Sequence, residues 1–411
     1  MVYQLFVLSV FFLFVSVINA FTDVIINRPS NSEFGGCVSV NGDGTQIIIT
    51  DYNFNSGAGA FYVYNFNTST SVYSSSSTYT QSGTYNLGYG CSMSGDGNYL
   101  IVGVDNPGSG YIYRNLGNGV WSEVFATSNP SYPQNVGIDY AGLTAIGCVS
   151  GQTYVYTRNP TTNVWSQTYG PLTASAGNPC NYAYGGGGNG LSGDGNTIVV
   201  GDPTYNSNAG IAFVYKLSGG IWGSTEIPIP AEAIGASSFG YTTCTNYDGS
   251  VLAVGAINDN SQNGALYIYT NGVLDAKLTV STSGAQLGGS CAFNRYGNVV
   301  VVGTKVNSAY AFVNNGSSWV ETTLSLGLNG EGYTVGINDA GTVIASGALN
   351  SNSAVIWQNV ANGAPATVFP SASPTTAPSL RPTKSPSKSP TKSPSKQPTN
   401  LPSTSPTHHL K

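Results

Sequence analysis

The stretch FGYTTCTNYDGSVLAVGAINDNSQNGALYIY, residues 239–269, is the part of the chain from which we predict the fold. It contains two apolar runs separated by the turn Asp248-Gly249, then a loop rich in Asn and Asp, and then a third apolar run. A fourth short run begins at Val273. Short apolar runs bounded by Gly, Asn and Asp are typical of antiparallel strands joined by tight turns. The stretch therefore indicates a unit of four short strands, named A to D in chain order.

The same unit recurs along the chain. The turn glycine between strands A and B occurs seven times, at spacings of 44 to 54 residues: Gly44, Gly97, Gly142, Gly195, Gly249, Gly297 and Gly341. Another glycine lies nine residues before it in every unit except the third, where Pro133 stands. Four short strands in about 50 residues form one blade of a β-propeller, which buries its faces against neighbouring blades. We therefore predict an all-β, seven-bladed β-propeller of four-stranded antiparallel blades.

Two segments compete for the fourth strand of the seventh blade. One is Val24-Ile25-Ile26 near the N-terminus, and the other is Ala366–Phe369. Pro365 and Pro370 flank the second segment, and proline is poorly tolerated in a paired strand. We therefore predict that the N-terminal segment closes the ring.

The two ends of the chain differ from the repeats. Residues 1–20 are a predicted signal peptide, because they hold an apolar run of the appropriate length. Residues 1–4, which precede that run, contain no Lys or Arg, so an uncleaved signal anchor is the alternative. Residues 21–363 are the predicted propeller, and residues 21–365 carry 18 acidic against 7 basic side chains. Residues 364–411 contain proline at every fourth position from 370 to 406, no acid and six cations. We expect a disordered tail, either a passive linker or an arm that attaches to acidic polysaccharide.

Six cysteines are compatible with disulfides in a secreted chain. Pairing neighbours along the chain predicts the bonds Cys37–Cys91, Cys148–Cys180 and Cys244–Cys291. The four cysteines on inner strands lie at differing offsets from the leading glycine, so their side chains could face opposite sides. For these four we favour the alternative, which is buried free thiols.

The units resemble the FG-GAP repeat of integrin α-chain heads and of many secreted microbial proteins. Phe239-Gly240, Asp248-Gly249-Ser250 and Gly264–Tyr269 carry the resemblance. It implies a seven-bladed propeller over about residues 34–359, and calcium loops between strands A and B in the integrin-like branch. Those loops have at most one carboxylate each here, so we expect no metal. The tail is similar to tails of secreted algal proteins and of viruses that infect algae.

The composition excludes several functions. The chain has two histidines, His408 and His409, so the propeller lacks a histidine base or metal ligand. Lys and Arg number only 13 of 411 residues, which disfavours nucleic-acid binding. We expect no catalytic residue and no cofactor. The B–C loops carry Asp and aromatic residues that form a candidate ligand-binding rim, although such Asp residues also cap loops: Asp51, Tyr52, Phe54, Asp105, Asp202, Tyr205 and Asp259.

The sequons at Asn67 and Asn315 predict N-glycosylation in two C–D connections. Together these features predict a secreted or surface-exposed, non-catalytic recognition or adhesion module. It would bind an extracellular protein or glycan at the propeller rim, in an extracellular matrix or cell wall, with no membrane span after signal cleavage. The alternatives are a structural surface glycoprotein of an algal virus particle, on the virion surface, and a secreted polysaccharide-active enzyme.

Overall fold

The computed structural model describes residues 21–28, 32–81, 86–105, 110–117, 119–127, 135–149, 151–178, 190–233 and 235–359. The predicted signal peptide and the predicted tail lie outside these residues. Within them the chain forms 27 strands in seven antiparallel sheets, which are the seven blades of a propeller. The fold class predicted from the glycine repeat is therefore confirmed.

The first three blades each contain four strands, from the inner strand A to the outer strand D. Blade 1 comprises β2 (Phe34–Val40), β3 (Gln46–Asp51), β4 (Ala60–Asn67) and β5 (Val72–Thr80). Blade 2 comprises β6 (Cys91–Met93), β7 (Tyr99–Val102), β8 (Tyr111–Asn115) and β9 (Trp121–Ala126). Blade 3 comprises β10 (Asn135–Ile138), β11 (Thr144–Val149), β12 (Gln152–Arg158) and β13 (Trp165–Leu172).

The fourth blade has three strands among the described residues: β14 (Thr197–Asp202), β15 (Ile211–Ser218) and β16 (Ile221–Ile227). A single bridge between Leu191 and Ile198 lies at the place of strand A. Blade 5 comprises β17 (Phe239–Thr245), β18 (Val251–Ala256), β19 (Ala265–Thr270) and β20 (Val273–Leu278). Blade 6 comprises β21 (Leu287–Phe293), β22 (Val299–Thr304), β23 (Ala309–Asn314) and β24 (Trp319–Thr323).

The seventh blade joins the two ends of the propeller. Its inner strands are β25 (Glu331–Ile337), β26 (Val343–Ala348) and β27 (Ser353–Asn359), and its outer strand is β1 (Phe21–Asn27). Strand β1 pairs antiparallel with β27 over seven residues, from Phe21 opposite Asn359 to Asn27 opposite Ser353. The prediction that the N-terminal segment closes the ring is confirmed.

The described parts of the loops contain four short helical segments: α1 (Phe54–Gly57), α2 (Tyr205–Asn208), α3 (Asp259–Gln262) and the 3₁₀ turn η1 (Leu349–Ser351). The first three follow strand B in blades 1, 4 and 5. Each places an Asn-Ser pair in the left-handed region, as at Asn260 and Ser261 with φ of 49° and 59°.

The core is divided among the interfaces between blades. Seven clusters of buried apolar side chains fill the seven interfaces, including the one between the last blade and the first. At four interfaces the repeated glycines bring the backbones of adjacent blades into contact. A Cβ on Gly201 would lie 2.1 Å from the carbonyl oxygen of Gly240, and one on Gly347 would lie 1.9 Å from that of Gly35. Glycine therefore lets adjacent blades approach this closely.

Two disulfides join inner strands of neighbouring blades. Cys37 bonds to Cys91, and Cys244 bonds to Cys291, with Cα–Cα distances of 5.9 and 6.0 Å. Our preference for free thiols at these four positions is therefore wrong. The inner strands carry irregular pairing just after the leading glycine, between Phe34 and Val38 for example, so the count of residues from that glycine does not predict which side a cysteine faces.

The third predicted disulfide stays a prediction. Cys148 is buried on strand β11, whereas Cys180 lies outside the described residues.

Candidate ligand-binding site

The propeller presents two different ends. Because the strands of each blade alternate in direction, the A–B and C–D turns lie at one end, called here the A–B end. The B–C loops and the D–A connections lie at the other, called the B–C end. Parallel bridges such as Gly59–Leu87 join the B–C loop of one blade to the D–A segment of the next.

Three aspartates of the predicted rim are buried in their own loops. The carboxylate of Asp51 accepts a hydrogen bond from the Glu33 amide at 3.0 Å. That of Asp202 accepts one from the Asn178 amide at 2.8 Å. Asp259 accepts one from the Tyr267 hydroxyl at 2.5 Å and forms an ion pair with Lys277 at 2.8 Å. These contacts hold the B–C loops in place.

The other predicted rim residues lie apart from one another. Asp105 is half-buried in blade 2. The ring of Phe54 packs edge-on against Tyr62 of strand C, with centroids 6.3 Å apart, and Tyr205 is exposed on α2. Tyr52 instead packs on strand A of its own blade. Its ring covers Gly36, where an added Cβ would lie 2.6 Å from the ring.

Tyr52 belongs to a larger group, which we name the aromatic arc. Its members come from blades 5, 6, 7, 1 and 2, five consecutive blades of the ring: Tyr241, Lys305, Tyr333, Tyr52 and Tyr89. Tyr89, Tyr241 and Tyr333 directly follow the leading glycine of their blades. In blades 6 and 1 a second glycine follows instead, and Lys305 and Tyr52 from the B–C loops occupy the space beside it.

The side chains of the arc are close to one another. The rings of Tyr52 and Tyr89 have centroids 5.1 Å apart. The Lys305 ammonium lies 5.3 Å from the ring centroids of both Tyr241 and Tyr333. All five side chains are half-buried, so each keeps a surface open to solvent.

Burial changes the proton affinities of the arc. It raises the pKa of Tyr241 to about 12 and lowers the pKa of the Lys305 ammonium below its usual range. Burial also raises the pKa of Tyr52, and the hydrogen bond that Tyr52 donates to the Glu33 carboxylate raises it further. The arc therefore combines tyrosine hydroxyls with the Lys305 side chain, and the Glu33 carboxyl group lies beside it as the acceptor of the Tyr52 hydrogen bond.

The A–B end is closed by contacts within the protein. The Arg295 guanidinium lies 3.7 Å from the ring centroid of Tyr247 and 4.6 Å from that of Tyr140, and it pairs with the Asp339 carboxylate at 3.5 Å. The turns also bond to one another, as where the Asp339 amide donates to the Gly42 carbonyl at 2.9 Å. A cavity of about 140 Å³ lies between the inner strands.

The carboxylates of the A–B turns already accept hydrogen bonds from groups within the same turns. Asp96, for example, accepts hydrogen bonds from the Ser94 hydroxyl at 2.6 Å and from the Asn98 amide at 2.9 Å. Across the described parts of the chain, no group of three or more His, Cys, Asp or Glu residues is arranged to hold a metal ion. No helix in those parts is long and apolar enough to cross a membrane.

Both predicted glycosylation sites are accessible. Asn67 ends strand β4 and Asn315 follows strand β23, so both lie at C–D turns with exposed side chains. Glycosylation at these positions stays a prediction.

Sequence reasoning found only Tyr52 of the arc. It missed Tyr89, Tyr241, Tyr333 and Lys305, which are separated by tens to hundreds of residues. The available signal was the pair Gly-Tyr, which recurs at the same place in units 2, 5 and 7.

Comparison with known proteins supports the fold alone. The structure is similar to that of hydrazine synthase from Kuenenia stuttgartiensis, with a TM-score of 0.58 and 13% sequence identity. The similarity covers 82% of this chain and 99% of that chain. No family model and no curated protein matches the sequence. The class that the architecture defines is thus the seven-bladed β-propeller.

Proposed function

We propose that this protein is a non-catalytic recognition module that binds a glycan or a protein partner at the B–C end. The observation that carries the proposal is the convergence of the aromatic arc, to which five consecutive blades each contribute one side chain. Tyrosine combines a large apolar ring with a hydroxyl, a combination suited to partners that have both apolar and hydrogen-bonding surface.

A glycan fits this arrangement particularly well. Pyranose rings have apolar C–H faces and hydroxyl edges, so they stack on tyrosine rings and hydrogen-bond to polar groups beside them. The arc offers half-buried rings together with the Lys305 ammonium and the Glu33 carboxylate. Ligand-binding sites commonly combine aromatic side chains with a few polar groups in this way.

The carboxylates near the arc support a binding role rather than a catalytic one. Asp51 and Asp202 accept hydrogen bonds from backbone amides of the adjoining D–A segments, and Asp259 is paired with Lys277. A general acid or base has to reach the substrate in a hydrogen-bonding geometry. Carboxylates that are buried and already bonded in this way are poorly placed for this.

We further propose that the protein is secreted and acts at a cell surface or in a matrix. Two disulfides between blades are consistent with an oxidising compartment, in which structural disulfides persist. The accessible sequons and the resemblance to FG-GAP repeats support the same location. The six cations of residues 366–411 would hold the protein to an acidic polymer.

An array of glycans and extracellular proteins tests the proposed function. The full chain is compared with the double variant Tyr241→Ala/Tyr333→Ala and with the control Tyr296→Ala, which removes an exposed tyrosine from the A–B end. Stacking contacts of this kind are worth on the order of 1 kcal/mol each, so the double variant is expected to bind its ligand at least about tenfold more weakly. Equal losses in the double variant and the control would contradict a site at the arc.

A further inference from the structure

We infer that Lys305 is an anion-binding group and that the ligand of the arc is a glycan carrying one carboxylate or sulfate. This inference rests on the proposed function, because it assigns a ligand class to the same site. Its basis is a comparison of the two ends of the propeller, in which we ask whether each cation there has a carboxylate partner.

Lys305 has no carboxylate partner among the residues that the structure describes. All 18 Asp and Glu residues of the chain belong to the described residues. The two ion pairs found there join Lys277 to Asp259 and Arg295 to Asp339, and neither includes Lys305. A half-buried cation without a counter-ion is costly, which suggests that its position is retained for a ligand.

Arg295 shows how a comparable cation is neutralised within the protein. It also lies between two tyrosines, Tyr140 and Tyr247, but Asp339 pairs with it at 3.5 Å. At the B–C end the rings of Tyr241 and Tyr333 flank Lys305 in the same way. Among the described residues, no Asp or Glu pairs with Lys305 as Asp339 pairs with Arg295. An anionic ligand would complete the same set of contacts there.

The Lys305 side chain is held in place before the ligand binds. Its methylene stem runs beside Gly289, where an added Cβ would lie 3.2 Å from the Lys305 Cδ. The ammonium lies 5.3 Å from both ring centroids, within the range of cation–π attraction. This attraction positions the ammonium and leaves its N–H donors available, since no acceptor among the described residues is hydrogen-bonded to them. Less side-chain freedom is then lost on binding.

The charge of the propeller limits the number of anionic groups on the ligand. Residues 21–365 carry 18 acidic and 7 basic side chains, a net charge of −11. Such a surface repels a densely charged polymer, whereas a sugar with one anionic group meets Lys305 at short range.

Calorimetric titration of the full chain with four matched disaccharides tests the inference. One carries a single terminal uronate, the second is its methyl ester, the third carries a single sulfate ester, and the fourth is neutral. A hydrogen bond to a charged group is worth enough to make the uronate bind about ten- to a hundredfold more tightly than its methyl ester. The sulfate compound shows which of the two anionic groups the site prefers.

Three variants locate the effect. Lys305→Met keeps the stem and removes the charge, so it is expected to abolish the preference for the uronate over its ester. Lys305→Arg keeps the charge and is expected to retain that preference. Lys216→Met removes an exposed lysine from strand β15 and is expected to bind like the natural protein. All variants keep the cationic tail, and a melting curve of each verifies that it folds.

The outcomes distinguish the inference from the proposed function. If the uronate and its ester bind equally and Lys305→Met changes nothing, the inference is wrong while glycan binding stands. If none of the four compounds binds and no glycan on the array binds either, the proposed glycan recognition fails, and the inference fails with it.

Discussion

Replacing Gly347 by alanine is expected to strain the interface between the last blade and the first. Gly347 lies on strand β26, and its Cα faces the backbone of Gly35 at the start of blade 1. An added Cβ would lie 1.9 Å from the Gly35 carbonyl oxygen and 2.9 Å from its carbonyl carbon. Because the obstacle is backbone and not a flexible side chain, relief requires one blade to move relative to the other.

The size of the effect follows from this overlap. Real Cβ atoms essentially never come closer than 3.0 Å, so the two backbones have to separate by about 1 Å. Overpacking that displaces backbone costs about 1–3 kcal/mol, and a contact with backbone on both sides belongs at the upper end. We expect Gly347→Ala to lower the free energy of unfolding by about 3 kcal/mol.

Urea unfolding monitored by tryptophan fluorescence measures this change. The matched control is Gly223→Ala, because Gly223 lies on outer strand β16 and an added Cβ meets nothing within 4 Å. Alanine there is expected to be neutral or to stabilise by about 0.5 kcal/mol, since it restricts the unfolded chain. If both variants unfold at the same urea concentration, blades 7 and 1 do not touch as described and the ring closure is refuted.

Three further expectations concern stability and the tail. Replacing Cys37 and Cys91 by alanine opens a loop of 54 residues and should lower stability to urea by up to about 4 kcal/mol, whereas unchanged stability would contradict that disulfide. Burial raises the pKa of Asp139 from 3.8 to about 6. Between these pH values the folded state holds a proton that the unfolded state releases, so the stability associated with protonated Asp139 is lost as pH rises through 6. Asp139→Asn, which keeps an acceptor for the Leu143 amide, should therefore stabilise by about 2 kcal/mol at pH 7 and not at pH 4, and an equal effect at both pH values would contradict the shift. Truncation after Gly363 should leave the melting temperature unchanged and reduce retention on an anionic polysaccharide. Deletion of residues 21–28 should instead lower the melting temperature, because it removes the closing strand β1. If the truncation lowers the melting temperature and the deletion does not, closure by β1 is contradicted.

The fold could be predicted because each blade carries its own copy of the necessary residues. The turn glycine has the positive φ that its turn requires, for example 76° at Gly44. The N-terminal closing strand was also predictable, because the prolines at 365 and 370 weakened the competing segment.

The aromatic arc was not predictable in the same way, because no single unit contains it. Lys305 and Tyr52 reach the arc from B–C loops, whereas Tyr241 reaches it from strand A of another blade. Which side chains meet depends on which blades have a second glycine on their own strand A, as at Gly36 and Gly289. Such complementarity becomes visible only when the blades are placed side by side.

Hydrogen–deuterium exchange of the full chain, with and without the strongest ligand from the array, tests most directly that recognition takes place at the aromatic arc. Binding there should slow exchange at the amides of residues 88–90, 240–242 and 332–334, and leave the A–B turns unchanged. Slower exchange confined to those turns, with no change at the three arc segments, would contradict the account.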